Sequence, residues 1–146
     1  MGYAVMDIAN KILERASKSE AEGLICNMKL QKMLYYMQGF HLAFFNKPLY
    51  DEDLEAWMYG PVVPSVYEIF KSHGNAGIEY QQETIKFTKE EESLFNEVYR
   101  VYGAYSAIGL MNLTHSETPW KSVSTGVGSV IDKEIMKEYF KKRIDE

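Results

Sequence analysis

One cysteine, Cys26, stands in a chain of 146 residues, so no internal disulfide can form. No paired-cysteine or His-x-x-x-His spacing offers zinc ligands, and His41, His73 and His115 lie far apart without a carboxylate spacing that would complete a site. A cytoplasmic protein without metal or cofactor is the expectation. No apolar run approaches the roughly 18–20 residues that cross a bilayer. The opening MGYAVMDIANKILERASKSE has no basic start followed by an apolar core, so neither membrane insertion nor secretion is expected. Positive charge is also scarce: 16 Lys and Arg face 21 Asp and Glu, a net charge of −5. Nucleic-acid binding draws on cations that displace counterions from phosphate, and this balance argues against it. The glycines are scattered, with no GxGxxG and no P-loop; a GxSxG elbow and a cysteine placed with a histidine are missing as well.

Aromatic residues are plentiful. They make up 14% of the chain, 11 of them tyrosine. Tyrosine joins a flat apolar face to a hydroxyl and loses little entropy when fixed, which suits both a ring-rich core and a contact surface. The same excess is compatible with a homodimer without requiring one. The acids bunch at Asp51-Glu52-Asp53 with Glu55 and at Glu90-Glu91-Glu92, and the first cluster reads as a solvated face that could also meet a basic partner. The spacing around Asp51 lacks the central Gly and terminal Glu of a calcium loop.

Helical periodicity runs through most of the sequence. Ile8, Ile12, Leu13 and Ala16 predict a first helix from about Val5 to Ser19. Asn27 stands where a cap belongs, and Leu30, Met33, Leu34, Met37, His41 and Phe44 follow on one stripe, while Tyr35, Tyr36, Phe40 and Phe45 occupy the other side. That helix is apolar over most of its circumference, so neighbours should bury it from several sides as the spine of the domain. His41 on its stripe reads as a hydrogen-bonded core group. Leu54–Tyr59 suggests a short strand, with Gly60-Pro61 turning the chain and Pro64 opening a third helix to about Ser72. Ile78–Phe87 alternates weakly and admits a strand or hairpin arm. Thr88-Lys89-Glu90-Glu91 is a capping box in front of Leu94, Phe95, Val98, Val101 and Tyr102. A short helix over Ala107–Leu113 follows, then a Pro119 helix start with Trp120 as anchor, a loose Val123–Val130 and a final helix capped by Asp132. Lys137, Lys141, Lys142 and Arg143 complement the dipole of that last helix. The reading is one mainly α domain over residues 1–146, with about six or seven helices around a central buried helix and at most a two- or three-stranded β element.

His115, between Thr114 and Ser116 with Glu117 beyond, is the best candidate for acid–base chemistry. Neighbours in sequence rarely face one another, and the alternative has Thr114 and His115 bonding the last carbonyls of their helix while Glu117 holds the next turn. A catalytic role is not expected.

Four ordered motifs now carry a resemblance. They are Lys29-Leu30-Gln31-Lys32-Met33-Leu34-Tyr35-Tyr36; Gly39-x-His41-Leu42-Ala43; Glu55-Ala56-Trp57-x-Tyr59-Gly60-Pro61-Val62-x-Pro64; and Leu113-Thr114-His115-x-Glu117-x-Pro119-Trp120. Together they resemble the Panacea domain, the SocA-like antitoxin family found in bacterial chromosomes, prophages and mobile elements. The resemblance implies a mainly helical domain that neutralises a cognate toxin by protein–protein contact. It places the motif residues Trp57, Tyr59, Gly60, Pro61, Val62 and Pro64, with His115, Glu117, Pro119 and Trp120, in or beneath a toxin-binding face. A core role that locks loops on the second helix accounts for the same residues. A delivery adaptor for a protease, or a phage-encoded inhibitor of a host defence protein, is the alternative partner class.

Overall fold

The computed structural model describes residues 2–19, 23–80 and 84–144. Within them the chain is mainly α-helical. Seven helices run α1 Val5–Ser17, α2 Asn27–Phe45, α3 Pro64–Phe70, α4 Lys89–Tyr102, α5 Ala107–His115, α6 Thr118–Lys121 and α7 Lys133–Ile144. Between α2 and α3 lies a two-stranded antiparallel hairpin, β1 Glu55–Trp57 and β2 Gly60–Val62.

α2 is the spine that its sequence predicts: 14 of its 19 residues are buried, including polar Gln31, Lys32, Gln38 and His41. Helices α1, α4, α5 and α7 and the hairpin all pack against it. Its most extensive packing is with α7, where a β-carbon on Gly39 would fall 2.2 Å from the Phe140 ring, so glycine is what lets Phe140 sit against the helix there. Phe140 is fully buried, worth roughly 1.5–3 kcal/mol in apolar transfer. Tyr36 stacks on Tyr102 at 3.9 Å and Tyr35 meets Phe140 edge-on at 5.5 Å, so the ring-rich core gathers where α2, α4 and α7 converge.

Buried polar groups on α2 hold the non-helical backbone that passes over it. Gln38 donates to the Tyr50 carbonyl and accepts from the Leu49 N–H, both at 2.7 Å, while the Tyr50 hydroxyl donates back to the Leu34 carbonyl at 2.9 Å. The capping box forms in full: Thr88 Oγ1 accepts from the Glu91 N–H, and Glu91 returns the bond to the Thr88 N–H. Asp132 Oδ1 accepts from the Glu134 N–H at the start of α7, and Pro64 occupies the first turn of α3.

Four local expectations change. α1 ends at Ser17 rather than Ser19. The residue in cap position before α2 is Cys26, not Asn27, whose amide instead donates to the Tyr67 carbonyl and accepts from Gln31. The turn of the hairpin is Met58-Tyr59, and Gly60-Pro61 lies inside β2. No strand forms among the described residues of 78–87; Ile85 and Phe87 alternate because they pack onto the core, and positions 81–83 lie outside the described residues.

Candidate functional site

The two Trp-containing motifs meet on one side of α2. Val63 N–H donates to Gln31 Oε1 at 2.9 Å and Lys32 Nζ donates to the Pro61 carbonyl at 3.2 Å, so consecutive residues of α2 fix the exit of β2. All three residues of β2 are buried. Gly60 has φ +114°, and a β-carbon there would come within 2.4 Å of Lys32 Cε and 3.0 Å of Thr114 Oγ1. Its place in the motif thus has a steric cause. Met58 and Tyr59 keep negative φ, so the positive φ that lets a tight hairpin rejoin its ladder falls on Gly60.

Trp57 is partly buried against Tyr67, edge-on with ring centres 5.1 Å apart, and its indole N–H donates to Glu55 Oε1 at 2.9 Å. Its carbonyl accepts the Trp120 indole N–H at 2.8 Å. That single bond ties the Pro119-Trp120 motif to the hairpin. The stretch 126–131 closes the outer side of β1: Ala56 N–H donates to the Ser129 carbonyl, Gly126 N–H to the Ala56 carbonyl and Ile131 N–H to the Leu54 carbonyl. The expected loose segment is therefore bonded along the strand.

Glu117 is only 2% exposed, at the residue before α6. Its carboxylate does not hold the helix turn; it points under α2, accepting the Tyr35 hydroxyl at 2.8 Å and the Tyr36 hydroxyl at 3.0 Å. Burial pushes its pKa up and the two donated hydroxyls only partly offset this, while burial, with the nearby Glu117 charge, pushes both tyrosines well up. Thr114 bonds the Met111 carbonyl at 2.8 Å as expected, but His115 does not share that task; Ser116 bonds the Leu113 carbonyl. The His115 ring lies 4.2 Å from that of Trp120, and its Nε2 is buried without a partner among the described residues. Among the described residues no hydroxyl or carboxylate is bonded to that nitrogen.

Of the motif residues, Gly60, Pro61, Val62, Glu117 and Pro119 are buried, while Trp57, Pro64, His115 and Trp120 are partly covered. Tyr59 is 59% exposed, beside Met58 at 66%, so the hairpin tip presents two large apolar side chains to solvent. Behind the tip a pocket of about 220 Å³ opens between α2, the hairpin and α3, lined by Lys32, Gln31, Trp57, Tyr59 and Tyr67 among others. Lys32 is the residue that sequence reasoning passes over. It is 1% exposed, and burial brings its pKa down from 10.5 to about 7. The sequence clue is that α2 is apolar over most of its circumference, so that polar residues on it are carried inside with it.

A second buried cluster joins the N-terminal segment, α2 and α4. Glu91 accepts from the Tyr3 hydroxyl at 2.6 Å and from His41 Nε2 at 2.8 Å, and His41 Nδ1 faces the Lys47 carbonyl at 2.8 Å. Burial alone would raise the Glu91 pKa, but the bonds from Tyr3, His41 and Thr88 outweigh it and hold it near 2; Tyr3, bonded to that carboxylate, rises to about 12. His41 is thus a satisfied core group. Among the described residues no three His, Cys, Asp or Glu side chains converge as metal ligands, and no helix is long and apolar enough to cross a membrane.

A family model described as antitoxin SocA-like, Panacea domain, matches residues 30–121, which hold most of α2, the hairpin and the Trp120 motif. Antitoxin SocA of Caulobacter vibrioides (strain NA1000 / CB15N) is 30% identical over 135 residues, covering 84% of this chain and 71% of that protein. No solved structure matches.

Proposed function

The chain belongs to the SocA-like antitoxin family with the Panacea domain, and from that premise we propose that it neutralises a cognate toxin in the cytoplasm by direct protein–protein contact. The observation that carries the reading is the hairpin tip. Met58 and Tyr59 stand 66% and 59% exposed on a two-residue turn whose flanks are fixed by the Trp120–Trp57 bond, the Trp57–Tyr67 contact and the Lys32–Pro61 bond. A rigid turn loses little entropy when it docks; the tyrosine supplies large contact area from two torsions, and the methionine beside it adapts its shape to the partner. The buried motif residues then support the face from beneath: Gly60 and Pro61 set the path of β2, and Glu117 anchors the segment that carries Trp120.

Each neighbouring gene of the source genome is induced alone and together with this chain. The account expects one of them to arrest growth, the arrest to be relieved by co-expression, and its product to co-purify with the chain. A toxic neighbour whose product is neither bound nor countered overturns it.

A further inference from the structure

We propose that the pocket behind the hairpin tip receives a carboxylate side chain of the bound toxin, with the Lys32 amine at its floor as the recognising group; this rests on the antitoxin reading above. The amine has three donors and one partner among the described residues, the Pro61 carbonyl at 3.2 Å. Of the three amides in the pocket lining, Asn75 is exposed, and the two buried ones already each make a donor and an acceptor bond: Gln31 spans Val63 N–H and Asn27 Oδ1, and Asn27 donates to the Tyr67 carbonyl. Among the buried groups of this pocket Lys32 has the most donor capacity left, two of its three N–H bonds, and a carboxylate is the acceptor that uses it best.

The surroundings select for the same chemistry. In a chain of net charge −5, no carboxylate among the described residues lines this pocket, whereas a second amine, Lys71, lines it too and is paired with Glu68 at 2.8 Å. A volume of about 220 Å³ is below the roughly 300–1,000 Å³ of small-molecule sites and suits a single side chain. Trp57 and Tyr67 supply flat walls for an aliphatic stem, and Tyr59 links the pocket to the exposed tip. Burial has brought the Lys32 amine to about 7, so an entering carboxylate favours its protonated form and draws a proton into the complex. The titratable groups around it are Cys26 before α2, Tyr59 on the hairpin, Tyr67 on α3 and Lys71 beyond it, and the Thr114 hydroxyl of α5 stands with the lysine stem over Gly60. Binding should therefore weaken as pH rises through 7 and beyond.

The test is an amide and indole NMR titration with N-acetyl-glutamate methylamide, its neutral glutamine analogue serving as control. The proposal expects saturable shifts at Lys32, Gln31 and the Trp57 indole. Affinity should fall by at least about tenfold for the glutamine analogue and for Lys32→Met, the loss of one charge-assisted bond. Tyr59→Ala, at an exposed position, should also weaken it. Equal binding of acid and amide, equal binding by Lys32→Met, or no saturable shift overturns the proposal. Toxin capture separates the two claims. Full neutralisation by Lys32→Met sinks the pocket and leaves the antitoxin reading standing; lysine-dependent glutamate binding in a protein that counters no toxin sinks the antitoxin reading and the toxin as occupant, and leaves only a carboxylate site.

Discussion

Replacing Lys32 by methionine should make the protein more stable. The amine sits in a site that is 1% exposed, and its pKa falls from 10.5 to about 7 because burial penalises the charged form. A depression of about 3.5 units corresponds to about 5 kcal/mol in full, and to about 4 kcal/mol at pH 7, where the amine is half protonated. Methionine matches the length of the stem and removes this cost. It also leaves the Pro61 carbonyl without its donor, worth about 1–3 kcal/mol in the opposite direction. The net gain is about 1–3 kcal/mol, or roughly 2–12 °C in Tm for a domain near 150 residues. The sign with pH follows from the unfolded chain, which keeps the Lys32 proton up to about pH 10.4. Between pH 7 and that value it binds more protons than the native state, so wild-type stability should rise by about 1 kcal/mol per pH unit from pH 8 to about 9.5. Above about pH 10 the raised tyrosines Tyr3, Tyr35 and Tyr50 reverse the trend, because their native forms hold protons that the unfolded chain releases. Urea unfolding at pH 7, 8, 9 and 9.5 reads the slope, which should vanish in Lys32→Met. A lower Tm for the variant at pH 7, together with the same slope in both proteins, would falsify the assignment.

Glu91→Gln should cost about 2–3 kcal/mol at pH 7, since it breaks a buried junction of Tyr3, His41 and Thr88. The native Glu91 pKa near 2 lies below its unfolded value of 4.5, so this stability is present above pH 4.5 and lost as pH falls toward 2; acid titration of the unfolding free energy should show that loss in wild type and lack it in the variant. Gly60→Ala should cost about 2–4 kcal/mol by thermal melting, because it combines a φ of +114° with a contact of 2.4 Å on Lys32 Cε, and Lys32→Gly in the same chain should recover only the steric part.

Local chemistry carried the sequence reading where it held. Pro64, the Thr88–Glu91 box and Asp132 mark helix starts because the groups they satisfy lie within three residues of them. The hairpin was misplaced by the same logic. Gly-Pro is a strong turn marker, but here the glycine is needed for its φ and its missing β-carbon over Lys32, and the turn falls on Met58-Tyr59, which carry no turn chemistry. The site was partly legible: rare Trp, Pro and Gly positions flagged both motifs, whereas their meeting through Trp120 Nε1 and the Trp57 carbonyl spans 63 residues and has no local trace. Glu117 reads from its neighbours as holding the next turn, and nothing beside Lys32 in the chain marks its partner; only the packing of α2 against the hairpin and the segment before α6 shows that each is buried with named partners.

The central claim is that the hairpin tip binds the toxin, and the most direct measurement is co-expression of the cognate toxin with a Met58→Ser, Tyr59→Ala double variant. Both side chains are more than half exposed, so the variant should melt within about 2 °C of wild type. The account predicts that it fails to restore growth and no longer co-purifies with the toxin, while wild type does both. A folded double variant that neutralises and captures the toxin as well as wild type contradicts it.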